Sequence, residues 1–132
     1  MRRECAMRGI RLTLWLSGLC FLSFGVASLL DPLGLLAAAG VMMSGDVAAT
    51  EIRAFYGGLE LGLGSLLLMA DRYGRRREGL WLVLASYGGI AFGRSIGLVL
   101  AGQGSPFLWF ALATEVALAC AALWGLRRLG PR

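Results

Sequence analysis

The chain has no histidine and no lysine: all thirteen basic residues among its 132 are arginine. Each absence removes a chemistry. Without lysine there is no Schiff base to retinal or pyridoxal, and without histidine no imidazole to hold haem or zinc or to serve as a general base. Catalysis would rest on Glu, Tyr or Arg alone, and nothing in their spacing compels it, so the sequence reads as non-enzymatic and without cofactor or metal. The bias to arginine fits a GC-rich bacterial genome. Cysteine is scarce as well. Cys5, Cys20 and Cys120 are odd in number and lack the Cys-x-x-Cys spacing of a redox pair or metal site. They read as two small buried hydrophobes inside apolar runs and one thiol outside them. Acids number only eight, giving a pI near 9.9. On a soluble scaffold that would suggest nucleic acid, but here the arginines cluster in the gaps between apolar runs, which assigns them to membrane topology instead.

What the chain has in excess is apolar sequence: 58% of residues, with a mean hydropathy of +0.71, against roughly half apolar for a soluble domain. It reads as a single membrane domain over residues 1–132. Residues 12–30 form an apolar run about 28 Å long as a helix, close to a bilayer core, and Asp31-Pro32 ends it. Arg2, Arg3, Arg8 and Arg11 before this run also resemble a secretory signal, with Gly25-Val26-Ala27 as a cleavage site, but the run continues past that point and the expectation is a retained helix. Residues 33–43 are apolar but too short to span, so a short interfacial helix is expected there. Further spans are expected at 50–70, 79–101 and 106–126, the last with Pro106 in its first turn. The fold expected is therefore all-α, a polytopic four-helix membrane bundle.

Arginine placement orients it. Four arginines precede the first span, four (Arg72, Arg75, Arg76, Arg77) lie between the second and third, and three (Arg127, Arg128, Arg132) follow the fourth, whereas residues 31–49 and 102–105 contain none. The positive-inside rule then places both termini and the 71–78 loop in the cytoplasm of a bacterial inner membrane. Trp15, Trp81 and Trp124 fall near the expected cytoplasmic ends and Trp109 near the other, where indoles prefer the headgroup boundary.

Five ionisable residues remain inside the spans: Glu51, Arg53, Glu60, Arg94 and Glu115. Glu51 is one residue inside its span and reaches water at the outer face. Counting from the outer ends, Arg94 is about 12 Å deep, Glu115 about 14 Å and Glu60 about 15 Å, so three charges from three helices share one layer. Arg53 stands seven residues before Glu60, on the same helical face and closer to the surface. Tyr56, Gly57 and Gly64 share that face. Tyr87, Ile90, Gly97 and Ala101 accompany Arg94, and Ala111, Leu112, Ala119 and Ala122 flank Glu115, the small-around-polar pattern by which membrane helices pack. The core expected is Arg94 held between Glu115 and Glu60, with Tyr56 and Tyr87 beside it. Two acids against one base leave either Arg53 reaching in or one carboxyl protonated. The glycine-rich stretch 57–64 lacks the strand and lysine of a phosphate loop, and Gly58-x-x-x-Gly62 reads as a packing face for another helix or a second protomer.

The string Thr50-Glu51-Ile52-Arg53-Ala54-Phe55-Tyr56-Gly57-Gly58-Leu59-Glu60, with Gly62 and Gly64, Asp31-Pro32, Gly93-Arg94-Ser95-Ile96-Gly97, Gly102 and Glu115, resembles the bacterial membrane family known as domain-of-unknown-function 4345. The resemblance implies a four-helix membrane fold loosely similar to the DoxX-type small membrane proteins, with signature residues at Glu51, Arg53, Tyr56, Glu60, Arg94 and Glu115. It brings no activity. The function expected is that of a membrane protein whose buried Arg/Glu core organises the bundle and binds a small ligand or supports a larger complex. Its partners would be the bilayer and a membrane protein or second copy, not nucleic acid. The alternative is a small proton-coupled transporter working through Glu60 or Glu115.

Overall fold

The computed structural model describes residues 2–130, so Arg132 lies outside the described residues. Six α-helices and one π-helical stretch follow in order: α1 (Arg2–Leu30), α2 (Pro32–Ala38), α3 (Asp46–Ile52), the π-helical Arg53–Leu59, α4 (Glu60–Arg72), α5 (Arg76–Ala101) and α6 (Pro106–Leu129). No strand occurs among the described residues. The stretch Asp46–Arg72 is one continuous rod, and together with α1, α5 and α6 it makes four helices long and apolar enough to cross a membrane.

Local chemistry sets the breaks. The Asp31 carboxylate accepts from the Gly34 amide at 3.0 Å and Pro32 occupies the first turn of α2, so the chain leaves α1 and starts a new helix at once. The expected interfacial segment 33–43 is thus helical only as far as Ala38. Gly102, in the left-handed conformation at φ 66°, closes α5, and the Ser105 hydroxyl accepts from Leu108 N at 3.3 Å ahead of Pro106 to open α6. These two caps make a tight hairpin.

Two helix pairs build the molecule. α1 lies along α4 and the π-helical stretch, and α5 lies along α6. Glycines let the first pair close: a Cβ on Gly64 would stand 2.7 Å from the Gly18 carbonyl oxygen, and one on Gly25 3.1 Å from that of Gly57. Both helices carry these glycines seven residues apart, two turns on one face. By contrast, Gly62 has open space around it and Gly58 meets only a carbonyl of its own rod, so the Gly58/Gly62 face packs against no helix of the described chain.

The shared core is asymmetric along the bundle. Ile10, Leu14, Leu67, Leu80, Val83 and Ala122 are all buried together, and every one belongs to the half that carries the arginine-rich ends. In the other half the π-helical stretch packs on α1 and its flanking helices rather than on α5 or α6, and Phe92, Val99, Leu100 and Phe110 are broadly exposed. The two pairs therefore diverge toward the arginine-poor end. Cys20 and Cys120, expected as buried, are instead exposed on outward faces, as is Cys5.

Candidate functional site

Two charged clusters bracket the core. The first follows from the α5–α6 hairpin. Arg94 lies eight residues before Gly102 and Glu115 nine after Pro106, so a short turn between antiparallel helices brings them level, about 12 to 14 Å from the turn. There Arg94 Nε donates to both Glu115 oxygens, at 3.0 and 2.9 Å, and Nη2 donates to Oε1 at 2.6 Å. The Glu115 side chain is 9% exposed and that of Arg94 24%. A charge pair this dry is held by its geometry: removing either partner leaves the other without compensation. Arg94 Nη1 has no hydrogen-bond partner among the described residues.

Glu60 does not join this pair. It is half-buried and makes no hydrogen bond or ion pair among the described residues. The expected guanidinium held between two carboxylates is therefore a one-to-one pair with a second carboxylate standing off. Arg53 does not reach in either; it is exposed and its Nε donates to the Leu29 carbonyl at 3.2 Å. The reason is the π-helical stretch between them. Its wider turn holds one residue more than an α-turn, which rotates the rest of the rod by about 100° and breaks the same-face relation inferred from a spacing of seven.

The two tyrosines separate as well. Tyr87 is buried, donates to the Ser17 carbonyl at 3.0 Å and stacks on Phe21 at 4.6 Å between ring centroids. It couples α5 to α1. Tyr56 is exposed toward the arginine-poor end, edge-on to Phe24 at 6.1 Å. Glu51 is exposed. Of the residues grouped around Arg94 on α5, Gly97 and Ala101 face open space rather than a neighbouring helix.

The second cluster was not anticipated. Asp71, buried at the arginine-rich end, accepts from Arg76 Nε at 2.6 Å, Trp15 Nε1 at 3.0 Å and Arg11 Nε at 3.2 Å. One carboxylate thus ties α1, α4 and α5. The available signal was an acid at the mouth of an arginine-rich loop, with an Arg11/Trp15 pair one turn apart on α1. Nearby, Arg77 donates to the carbonyls of Leu129 and Gly130 and so fastens the end of α6 to the start of α5.

A family model described as Domain of unknown function (DUF4345) matches residues 9–126, taking in the Arg94–Glu115 pair, Glu60 and the Asp71 cluster. The chain belongs to this family. No curated protein and no solved structure matches it. The matched residues reach into all four apolar rods and include both charged clusters.

Proposed function

We propose that this member of the family is a non-enzymatic, four-span protein of a bacterial inner membrane, with both termini cytoplasmic. Its intramembrane Arg94–Glu115 pair organises the bundle and floors a ligand-binding opening between the diverging helix pairs. The observation that carries the reading is the Arg94–Glu115 contact with its three hydrogen bonds, 2.6 Å at the shortest, beyond the buried apolar core. Such a pair has no place facing acyl chains, because charges at membrane depth are costly unless paired and turned inward.

The orientation is supported by the gathering of the described loop arginines at one end, where Arg11 and Arg76 converge on Asp71 and Arg77 meets the end of α6. The organising role is tested by Arg94→Leu: purified protein in detergent should melt at a lower temperature and accumulate less in cells. Unchanged melting and abundance would remove the role. The unpaired Glu60 favours a second reading, a proton-coupled carrier. Proton release on adding substrate candidates to purified protein, lost in Glu60→Gln, would distinguish that reading, and no release across a broad panel would reject it.

A further inference from the structure

The side chains around Asp71 offer more donors than the bundle uses. Arg11 and Arg76 each bind the Asp71 carboxylate through Nε alone, at 3.2 and 2.6 Å, and their terminal nitrogens make no hydrogen bond among the described residues. The Asp71 side chain is 5% exposed, that of Arg76 28% and that of Arg11 58%. A buried carboxylate thus fixes two guanidinium groups by one nitrogen each and leaves their forked ends free. Two more arginines adjoin them. Arg8 stands one turn before Arg11 on α1, and Arg72 follows Asp71 at the end of α4. Both are exposed, and neither forms an ion pair among the described residues. The acids at hand are Asp71 and the exposed Glu4, one turn before Arg8, so four arginines meet two carboxylates and the group is positive overall.

The neighbouring loop arginines are taken up within the protein, Arg75 by Glu78 and Arg77 by the carbonyls at the end of α6. The excess charge is therefore local to the α1–α4 side. Its level along the rods identifies the anion that meets it. Trp15 donates to the same carboxylate at 3.0 Å while remaining 44% exposed, and an indole held at the charged end of an apolar rod marks the headgroup boundary. Both rods that carry the cluster are long and apolar enough to cross the bilayer, which sets these arginines beside lipid phosphates. Guanidinium forks match phosphate oxygens with paired N–H donors. A choline headgroup would bring its own cation into a group that is already positive, whereas an anionic lipid brings none, and basic pockets at the ends of membrane helices hold such headgroups.

We propose that the Asp71 cluster is a headgroup site for an anionic phospholipid, in which Arg8, Arg11, Arg72 and Arg76 bind the phosphate and the buried Asp71 holds Arg11 and Arg76 in position. It lies at the opposite end of the bundle from the Arg94–Glu115 pair and rests only on the rods being membrane spans. The test is native mass spectrometry of the full chain released from detergent micelles that contain phosphatidylglycerol or phosphatidylcholine with the same acyl chains. Phosphatidylglycerol should be retained in preference, and its affinity should fall about fivefold for each arginine removed, hence by more than about tenfold in Arg8→Gln/Arg72→Gln. Arg127→Gln/Arg128→Gln removes the same charge from the end of α6 and should leave the affinity nearly unchanged. An excess of inorganic phosphate should not displace the lipid. Arg8 and Arg72 are exposed and unpaired among the described residues, so their variant should melt as the parent does, and Arg8→Gln alone serves if the double variant fails to fold. Equal retention of phosphatidylcholine, equal weakening in the two double variants, or displacement by inorganic phosphate would overturn the proposal. The melting behaviour of Arg94→Leu judges the organising pair separately, so loss of either idea leaves the other measurable.

Discussion

Removing Arg94 and Glu115 together should cost less than the sum of removing each alone. In Arg94→Leu the Glu115 carboxylate, 9% exposed, loses all three of its short hydrogen bonds and keeps its burial. In soluble proteins a buried charge stranded in this way costs about 3 to 5 kcal/mol. Between membrane helices, individual polar contacts are worth only about 0.6 kcal/mol on average and about 1.7 at most, because the separated helices find other partners. A stranded charge loses more than one such contact, so the loss should fall near the lower bound of the soluble range, about 2 to 3 kcal/mol. Glu115→Leu strands a guanidinium that is 24% exposed and better able to reach water or headgroups, so its loss should be smaller, about 1 to 2 kcal/mol. The double variant Arg94→Leu/Glu115→Leu leaves no charge behind and should unfold with less than the sum of the two losses, a coupling of at least about 1 kcal/mol. Unfolding in mixed detergent micelles, followed by far-ultraviolet circular dichroism, measures all four proteins. Simple additivity would refute the reasoning, since it would mean that the two side chains do not act as a pair.

Two glycines of α4 should behave oppositely on mutation to alanine. Gly64→Ala places a Cβ 2.7 Å from a backbone oxygen of α1, so the α1–α4 pair must separate and the melting temperature should fall, whereas Gly62→Ala meets nothing and should raise stability by up to about 1 kcal/mol through helix propensity. Equal effects would show that the α1–α4 contact is not the close one described. Asp71→Ala should release Arg11, Trp15 and Arg76 at once and cost about 2 kcal/mol, given that hydrogen bonds to charged groups are worth about 1.5 to 3 kcal/mol. Protease accessibility of the 72–76 turn reports this directly, and an Asp71→Ala protein cleaved no faster than its parent would dismiss the clamp.

The four rods were legible from the chain itself because bilayer crossing demands an uninterrupted apolar length, and that property belongs to each segment alone. The Arg94–Glu115 pair was legible for a related reason: a four-residue turn between two helices converts residue number into depth, and both side chains fall at one level. The same arithmetic failed for Glu60 and Arg53, since it assumes 3.6 residues per turn and the π-helical stretch does not keep that pitch. Nor does depth specify lateral distance, so a shared layer did not make Glu60 a ligand of Arg94 once the two helix pairs diverged. The Asp71 cluster and the Gly18–Gly64 and Gly25–Gly57 contacts came from the folded molecule, where residues of α1 meet residues of the second rod about 30 to 60 positions away and the meeting depends on which rods become neighbours. Hydropathy and charge placement act one segment at a time; neighbour choice is settled by how closely whole helix faces can approach, and no single segment contains that information.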